Sequence, residues 1–228
     1  MLYYGTLNPK EIYIMSINGI SESVIKRLPR YYRFLGDLSS EGLSRISSSA
    51  LSERMHLTAS QIRQDLNCFG GFGQQGYGYN IELLRGEIGK ILGIDSPKKT
   101  IIVGMGNFGK ALAQHIKFET KGFHLIGLFD NKESLVGQMV RNIPIRNVTT
   151  LDEFCRENRP EVAIISTPKE PAQELSDQLV RLGVKGFLNF THYDLTHDHP
   201  DITVENVHLG DSLMTLSYKL KDREKQSG

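Results

Sequence analysis

The feature that most limits the fold of this chain is a β-branched run that ends in glycine. Ile101, Ile102 and Val103 lead directly into Gly104-Met105-Gly106-Asn107-Phe108-Gly109. A strand that turns sharply into a helix uses glycines at this spacing. The first permits the turn, the second lets a pyrophosphate approach the backbone, and the third lets helix and strand pack closely. The helix N-terminus then offers free N–H groups and a positive dipole end to an anion. The next apolar run, 125–129, ends at Asp130, about 20 residues past the last glycine. A carboxylate there accepts ribose hydroxyls and repels a 2′-phosphate, which favours NAD(H) over NADP(H). Lys132 argues mildly the other way. S-adenosylmethionine, or no nucleotide at all, are the alternatives. The candidate cofactor contacts are Gly104, Met105, Gly106, Asn107, Phe108, Gly109, Asp130, Asn131 and Lys132. Thr167, Pro168 and Lys169 join them from a loop that either lines the nicotinamide or is an ordinary turn.

Beyond residue 99, short apolar runs fall at 100–104, 124–129, 143–147, 161–166 and 186–190, most of them separated by helical stretches. Such alternation predicts a parallel sheet built from βαβ units. A strand-like piece at 202–207 precedes an amphipathic helix with Leu213, Leu216 and Leu220 on one face.

The first hundred residues have a different rhythm. Val24, Leu28, Tyr31 or Tyr32, and Leu35 predict a helix from Ser21 to Leu35, with Pro29 kinking it or marking its real start. A short helix follows at Ser49–Met55, then a turn at His56-Leu57. Thr58 caps a third helix, with Gln61 at the capping-box position. Ile62, Leu66 and Phe69 lie on one face of that helix. Ser60, Arg63, Gln64 and Asn67 lie on another. The glycine-dense stretch 70–79 predicts a two-stranded hairpin, a wing. A helix from Asn80 to Leu92 and a linker at 95–98 complete the half. The expected fold is α/β. It comprises an extension at 1–19, a winged helix-turn-helix domain at 20–95, a Rossmann-like parallel-sheet domain at 96–209, and a C-terminal helix at 210–228.

In a helix-turn-helix unit the second helix enters the major groove with its polar face to the base edges. Arg63 is the natural guanine reader, through O6 and N7. Gln64 and Asn67 suit adenine or phosphate, and Ser60 suits phosphate. Arg30, Gln61, Gln74, Gln75 and Tyr77 complete the candidate DNA contacts. The competing reading is a solvated helix face. Residues 16–70 carry seven Lys/Arg against five acids, so modest non-specific DNA affinity is expected.

At 39% hydrophobic and 23% charged residues, the composition is that of a soluble globular protein. No basic n-region precedes an apolar run at the N-terminus, and no stretch suits a membrane span, so a cytoplasmic protein is expected. The two cysteines, Cys68 and Cys155, fall in different halves. That argues against a disulfide framework or a cysteine-rich metal site, and Cys68 is expected on the back of its helix.

Several blocks resemble the Rex family of redox-sensing transcriptional repressors. These are Lys26-Arg27-Leu28-Pro29-Arg30-Tyr31-Tyr32-Arg33, the stretch from Ala59 to Tyr79, Val103 to Gly109, Phe129-Asp130, Gly186 to Thr191, and Val204-Glu205-Asn206-Val207. The resemblance runs from about Ile20 to Leu220. It implies a homodimer with the C-terminal helix swapped onto the partner, an inverted-repeat operator in double-stranded DNA, and release from that operator by NADH, against which NAD⁺ competes. It implies no catalytic residues.

Three departures stand out. The family usually carries tyrosine where this chain has His115, and aspartate where it has His208. The resemblance places these groups and Arg33 in a state-dependent network between domains. A protonated His208 would repel Arg33, so the redox response is expected to weaken or to become pH-dependent, unless the two histidines hydrogen-bond equivalently. Gln64, Gln74 and Gln75 stand where the family often has Lys or Arg, which predicts weaker DNA binding and a shallower salt slope. The rival functions are an NAD-dependent dehydrogenase and a repressor whose Rossmann domain only dimerises. A dehydrogenase is left little chain for a substrate domain. His192, His197 and His199 read as a polar surface loop rather than a catalytic or metal site.

Overall fold

The computed structural model describes residues 20–70, 72–74 and 77–226. The extension 1–19 and Gln75 lie outside the described residues, as do the side chains of Gln74, Lys169 and His197. The chain divides into two compact units, at Asp95 and Ser96.

The first unit opens with helix α1, Glu22–Ser40. Val24, Leu28, Tyr31, Leu35 and Leu38 form its buried stripe at helical spacing. Pro29 sits inside the helix on its exposed side and neither starts nor ends it. A proline there costs about 3 kcal/mol. Each buried apolar side chain of the stripe returns roughly 1.5–3 kcal/mol, so packing overrides the local penalty and the helix runs five residues past Leu35.

Strand β1 (Arg45–Ile46) leads to α2 (Ser48–Met55) and α3 (Ala59–Asn67). Ser47 caps α2 through Ala50 N, and Thr58 caps α3 through Gln61 N. His56, at a φ of 52°, makes the turn between them. Strands β2 (Gly73–Gln74) and β3 (Gly78–Asn80) form the expected wing hairpin. β1 pairs antiparallel with β3 to make a third strand that the sequence reading did not include. Asn80 then caps α4, Ile81–Ile91.

The second unit is a seven-stranded sheet. In chain order its strands are β4 (Lys98–Val103), β5 (Phe123–Asp130), β6 (Met139–Val140), β7 (Ile143–Asn147), β8 (Val162–Ile165), β9 (Gly186–Asn189) and β10 (Thr203–Asn206). Their spatial order is β10-β9-β8-β4-β5-β7-β6. All neighbours are parallel except β6, which pairs antiparallel with β7. This short β6 was not foreseen. Its two residues lie between runs too brief to show alternation. The intervening helices are α5 (Asn107–His115), α6 (Leu151–Asn158), α7 (Lys169–Arg181) and a short α8 (Leu195–Asp198).

One core cluster joins Ile101, Val103, Phe129, Phe154, Leu175 and Leu179, among others. A separate cluster joins Ile102, Leu125, Leu128, Ala113 and Ile164. Alternate residues of β4 therefore serve the two faces of the sheet, as period-two side-chain direction requires. From β4 the chain passes to β5 and β7 on one side, then returns to β8 and continues outward to β9 and β10. The order reverses between β4 and β8, and such a switch point opens a crevice at the carboxyl ends of the strands. Helix α9, Leu209–Gln226, closes the chain. Within this single chain Leu213, Leu216 and Leu220 are all more than half exposed.

Candidate functional site

A cavity of about 510 Å³ opens at the switch point. Its walls come from the β4–α5 turn, the end of β5, the loop after β8, and α7. Gly104 turns the chain with a φ of 97°. A Cβ there would lie 2.7 Å from the Ser166 carbonyl, and one at Gly109 would lie 1.9 Å from the Gly104 oxygen. Both glycines are demanded by the protein itself. Gly106 differs, because a Cβ there would meet nothing within 4 Å. Its φ of −60° suits any residue. What glycine preserves at this position is open space at the N-terminus of α5, which is where a phosphate needs to approach backbone N–H groups.

Asp130, 9% exposed, ends β5 at the rim. Its Oδ2 accepts from Met105 N at 2.5 Å and its Oδ1 from Lys132 N at 2.8 Å. The carboxylate therefore braces the glycine turn and keeps a second lone pair on each oxygen for a diol. Met105, Asn107, Asn131, Lys132, Thr167 and Pro168 line the cavity with it. Thr167 Oγ1 is buried and has no hydrogen-bond partner, an unmet need in the loop expected to face the ligand. The fit to a dinucleotide thus rests on the switch-point cavity, the open Gly106 cradle, the rim carboxylate and the orphaned hydroxyl.

Two expected contacts fall elsewhere. Gly109 supports the turn from behind, and Phe108 packs edge-on against Phe190 at 4.9 Å, outside the cavity lining. Sequence reasoning missed Lys110, Leu135, Glu174 and Gln178, which do line the cavity. Lys110 Nζ, 2.7 Å from Gln138 Oε1, brings a positive charge to the phosphate end. Its place one residue after the last glycine was a usable signal. Glu174 and Gln178 gave none, because tertiary folding alone brings α7 there.

Helix α3 holds the second candidate site. Ser60, Arg63, Gln64 and Asn67 form a shallow concave face with Cys68, while Ile62 and Leu66 are buried on the other side. Arg63 is exposed and donates to Ser48 Oγ at 3.0 Å. Cys68 is exposed on the polar face, with its thiol 3.3 Å from Gln64 O. It does not pack on the back of the helix as expected, because Asp65 and Leu66 occupy that side. Cys155 is buried, and burial beside Asp152 pushes its thiol up to about 11. Tyr77, 71% exposed at the wing, is free to meet a partner. Its carbonyl accepts from Arg45.

Asp65 is the residue that sequence reasoning overlooked. Its carboxylate is 0% exposed. Arg27 grips it through Nε and Nη2, both at 2.7 Å, Tyr31 Oη donates at 2.9 Å, and Gln61 Nε2 at 2.7 Å. Burial pushes this carboxyl's pKa up, but the three donors outweigh it and hold the group below the usual carboxylate range. Burial and the bond to Asp65 together raise the Tyr31 phenol. Gln61 is therefore turned inward. Its side-chain amide is spent on Asp65 rather than on the cap, which counts against its expected role as a DNA contact. Arg30 is likewise engaged, donating to the Met55 carbonyl at the end of α2. The signal for Asp65 was available: an acid between Ile62 and Leu66 falls on the apolar face.

Of the three residues expected in the interdomain network, Arg33 is exposed with its guanidinium 5.8 Å from the Phe34 ring centre. His115 is exposed at the end of α5. His208 stacks on His192, ring centres 5.5 Å apart, and its Nδ1 is buried without a partner. His199 Nε2 lies 2.6 Å from Asp177 Oδ1. Among the described residues no group of three potential ligands could hold a metal ion, and no helix is long and apolar enough to cross a membrane.

A winged-helix unit followed by a parallel sheet with a dinucleotide-type switch point defines a two-domain class of DNA- and nucleotide-binding proteins. Residues 19–67 match the family described as "Putative DNA-binding protein N-terminus", and residues 95–193 the one described as "CoA binding domain". A redox-sensing transcriptional repressor Rex from Thermoanaerobacter sp. (strain X514) is 49% identical over 205 residues, 90% of this chain and 91% of its own length. The Rex of Clostridium perfringens (strain SM101 / Type A) is 50% identical over 207 residues, covering 90% and 97%. Among solved structures, RSP in complex with β-NAD⁺ and operator DNA matches with a TM-score of 0.84 at 48% identity, covering 93% of this chain and 96% of that one. The chain belongs to the Rex family of redox-sensing transcriptional repressors.

Proposed function

We propose that this protein is a cytoplasmic, non-enzymatic repressor that binds an inverted-repeat operator as a homodimer and leaves it when NADH fills the switch-point cavity. The observation that carries this reading is the Gly106 cradle. Its glycine serves no need of the protein's own packing, and it stands in the same chain as a helix presenting Ser60, Arg63, Gln64 and Asn67 outward. The related RSP, crystallised with β-NAD⁺ and operator DNA, supports it.

In this reading Gly104, Met105, Gly106 and Asn107 hold the pyrophosphate by backbone N–H groups, with Lys110 supplying charge. Asp130, Asn131 and Lys132 hold the adenosine ribose, and Thr167, Pro168 and Lys169 approach the nicotinamide. Arg63 reads guanine, Gln64 and Asn67 read base edges or hold phosphate, Ser60 and Arg30 hold phosphate, and Gln74, Gln75 and Tyr77 act from the wing. The swapped α9 covers its own leucine face in the dimer. Arg33, His115 and His208 carry the signal between domains.

The switch is a matter of linkage. NADH loosens DNA only by binding the DNA-incompetent arrangement more tightly, and DNA weakens NADH by the same factor. Fluorescence anisotropy on a relative's inverted-repeat operator, titrated separately with NADH and NAD⁺ at fixed salt, tests this. Release by NADH and not by NAD⁺ is expected. Tight DNA binding indifferent to both would sink the redox part and leave a repressor that has lost its switch.

A further inference from the structure

A second cavity, of about 630 Å³, lies at the opposite end of the sheet from the glycine loop. It is open to solvent and lined by the starts of β4, β8, β9 and β10 and by the ends of α6 and α7. Lys98, Arg156, Arg159 and Lys185 line it, against a single acid, Glu161. That acid is already engaged, since its Oε1 accepts from Lys99 N at 3.3 Å. Lys98 Nζ is turned to the Ser96 carbonyl at 2.7 Å, and Arg156 stands 3.7 Å from Asp152. Among the described residues neither Arg159 nor Lys185 has a side-chain partner. Pro160, Val162 and Leu182 supply an apolar lining.

The plain explanation for basic residues here is the helix dipole, because cations are favoured at helix C-termini. Two such ends contribute about −0.5 charge each. Four cations, with Glu161 and the Asp152 beside Arg156, leave two positive charges, so after both helix ends are satisfied about one remains. The dipoles therefore account for part of this charge and not for its concentration on one concave wall. Two unpaired cations flanking an apolar lining suit a ligand with at least two negative charges and an apolar body. Arg159 in particular presents a planar fork that fits phosphate oxygens.

We infer that this cavity is a second ligand site, which takes a phosphorylated small molecule independently of the cofactor. Calorimetric titration of the full-length protein with tripolyphosphate tests this, run with and without saturating NADH so that the glycine loop is excluded as the binding place. One site per chain is expected with NADH present. In the double variant Arg159→Ser/Lys185→Ser affinity should fall about tenfold or more, as lost charge-assisted contacts require. NADH fluorescence, measured in parallel, should be unchanged, and this reports on folding and on the cofactor reading separately. The inference is overturned if the wild type binds no tripolyphosphate with NADH present, or if the double variant binds it equally well. It is also overturned if the variant's operator salt slope drops by about two, since the cations would then serve DNA phosphates.

Discussion

Among the described residues each unit of the molecule buries one carboxylate beside its candidate site, and the two are used in opposite ways. Asp65 is saturated by side chains: Arg27, Tyr31 and Gln61 supply four hydrogen bonds, and it is fully enclosed. Among the described residues Asp130 is held by two backbone N–H groups, and it borders a cavity. A carboxylate whose valence is filled from within the protein fixes a helix. One that is half filled, at a rim, is left with capacity for a ligand. Burial alone would have ranked Asp65 as the more functional of the two, whereas the source of the donors reverses that order.

The contrast breaks most sharply at Asp65. Asp65→Ala leaves the Arg27 guanidinium and the Tyr31 hydroxyl without their partner, and removing one member of such a buried pair costs about 3–5 kcal/mol. Arg27 keeps some solvent access, with its side chain 24% exposed, so the lower end applies. Urea unfolding followed at the first unit should show this loss, while NADH binding by the second unit persists. The pH dependence follows from the same group. Its folded pKa lies below the ordinary value of 3.8, so its contribution is complete above that value and disappears as pH falls through the folded pKa. Stability of the first unit should be flat with respect to this group near neutrality and drop below about pH 4. In Asp65→Asn that acid limb should flatten, and a limb equally steep in wild type and variant would assign the loss to other carboxylates.

Two glycines sharpen the other half of the comparison. Gly109→Ala forces a Cβ against the Gly104 carbonyl at 1.9 Å, and should cost about 1–3 kcal/mol of stability together with cofactor binding. Gly106→Ala meets no protein atom within 4 Å. Its melting temperature should stay at or slightly above the wild-type value, while NADH affinity falls about tenfold or more because the methyl occupies the pyrophosphate's place. A Gly106→Ala variant that binds NADH normally would remove the cradle argument altogether.

The sheet and its glycine turn were legible because their signals are local. β-Branched runs, glycine spacing and a terminal acid stand within 30 residues of one another, and the cap at Thr58 is a one-turn feature. The rest depended on distant partners. Gln61 looked like a capping-box and base-reading residue until Asp65 took its amide, and Asp65 itself waits on Arg27, 38 residues away in the chain. Glu174 and Gln178 reach the cavity only because α7 packs over the switch point. Pro29 misled for the reverse reason: the local rule was right about its cost, but the stripe that overrides it spans the whole of α1.

Arg63 provides a smaller and more specific test. It is exposed on the outward face of α3, and among the described residues its side chain bonds Ser48. Arg63→Ala should leave folding unchanged within about 0.5 kcal/mol. It should cost about 1–3 kcal/mol in operator binding and relax discrimination at one guanine position of each half-site. Uniform weakening across all sequences, with a salt slope reduced by about one, would instead make it a phosphate contact.

The smallest effect separates neighbours that a helical wheel alone treats alike. Gln61 and Gln64 both lie near the polar side of α3, but Gln61 donates to Asp65 while Gln64 is exposed. Gln61→Ala removes one of three donor side chains from a buried carboxylate and should cost about 0.5–1.5 kcal/mol of stability. Once measured under conditions where the variant is folded, its ratio of operator to non-specific DNA affinity should match the wild type. Gln64→Ala should do the converse, with stability unchanged and a lower ratio. A Gln61→Ala variant that loses operator discrimination while keeping its stability would return Gln61 to the reading surface, and would mean that its bond to Asp65 is given up when DNA binds.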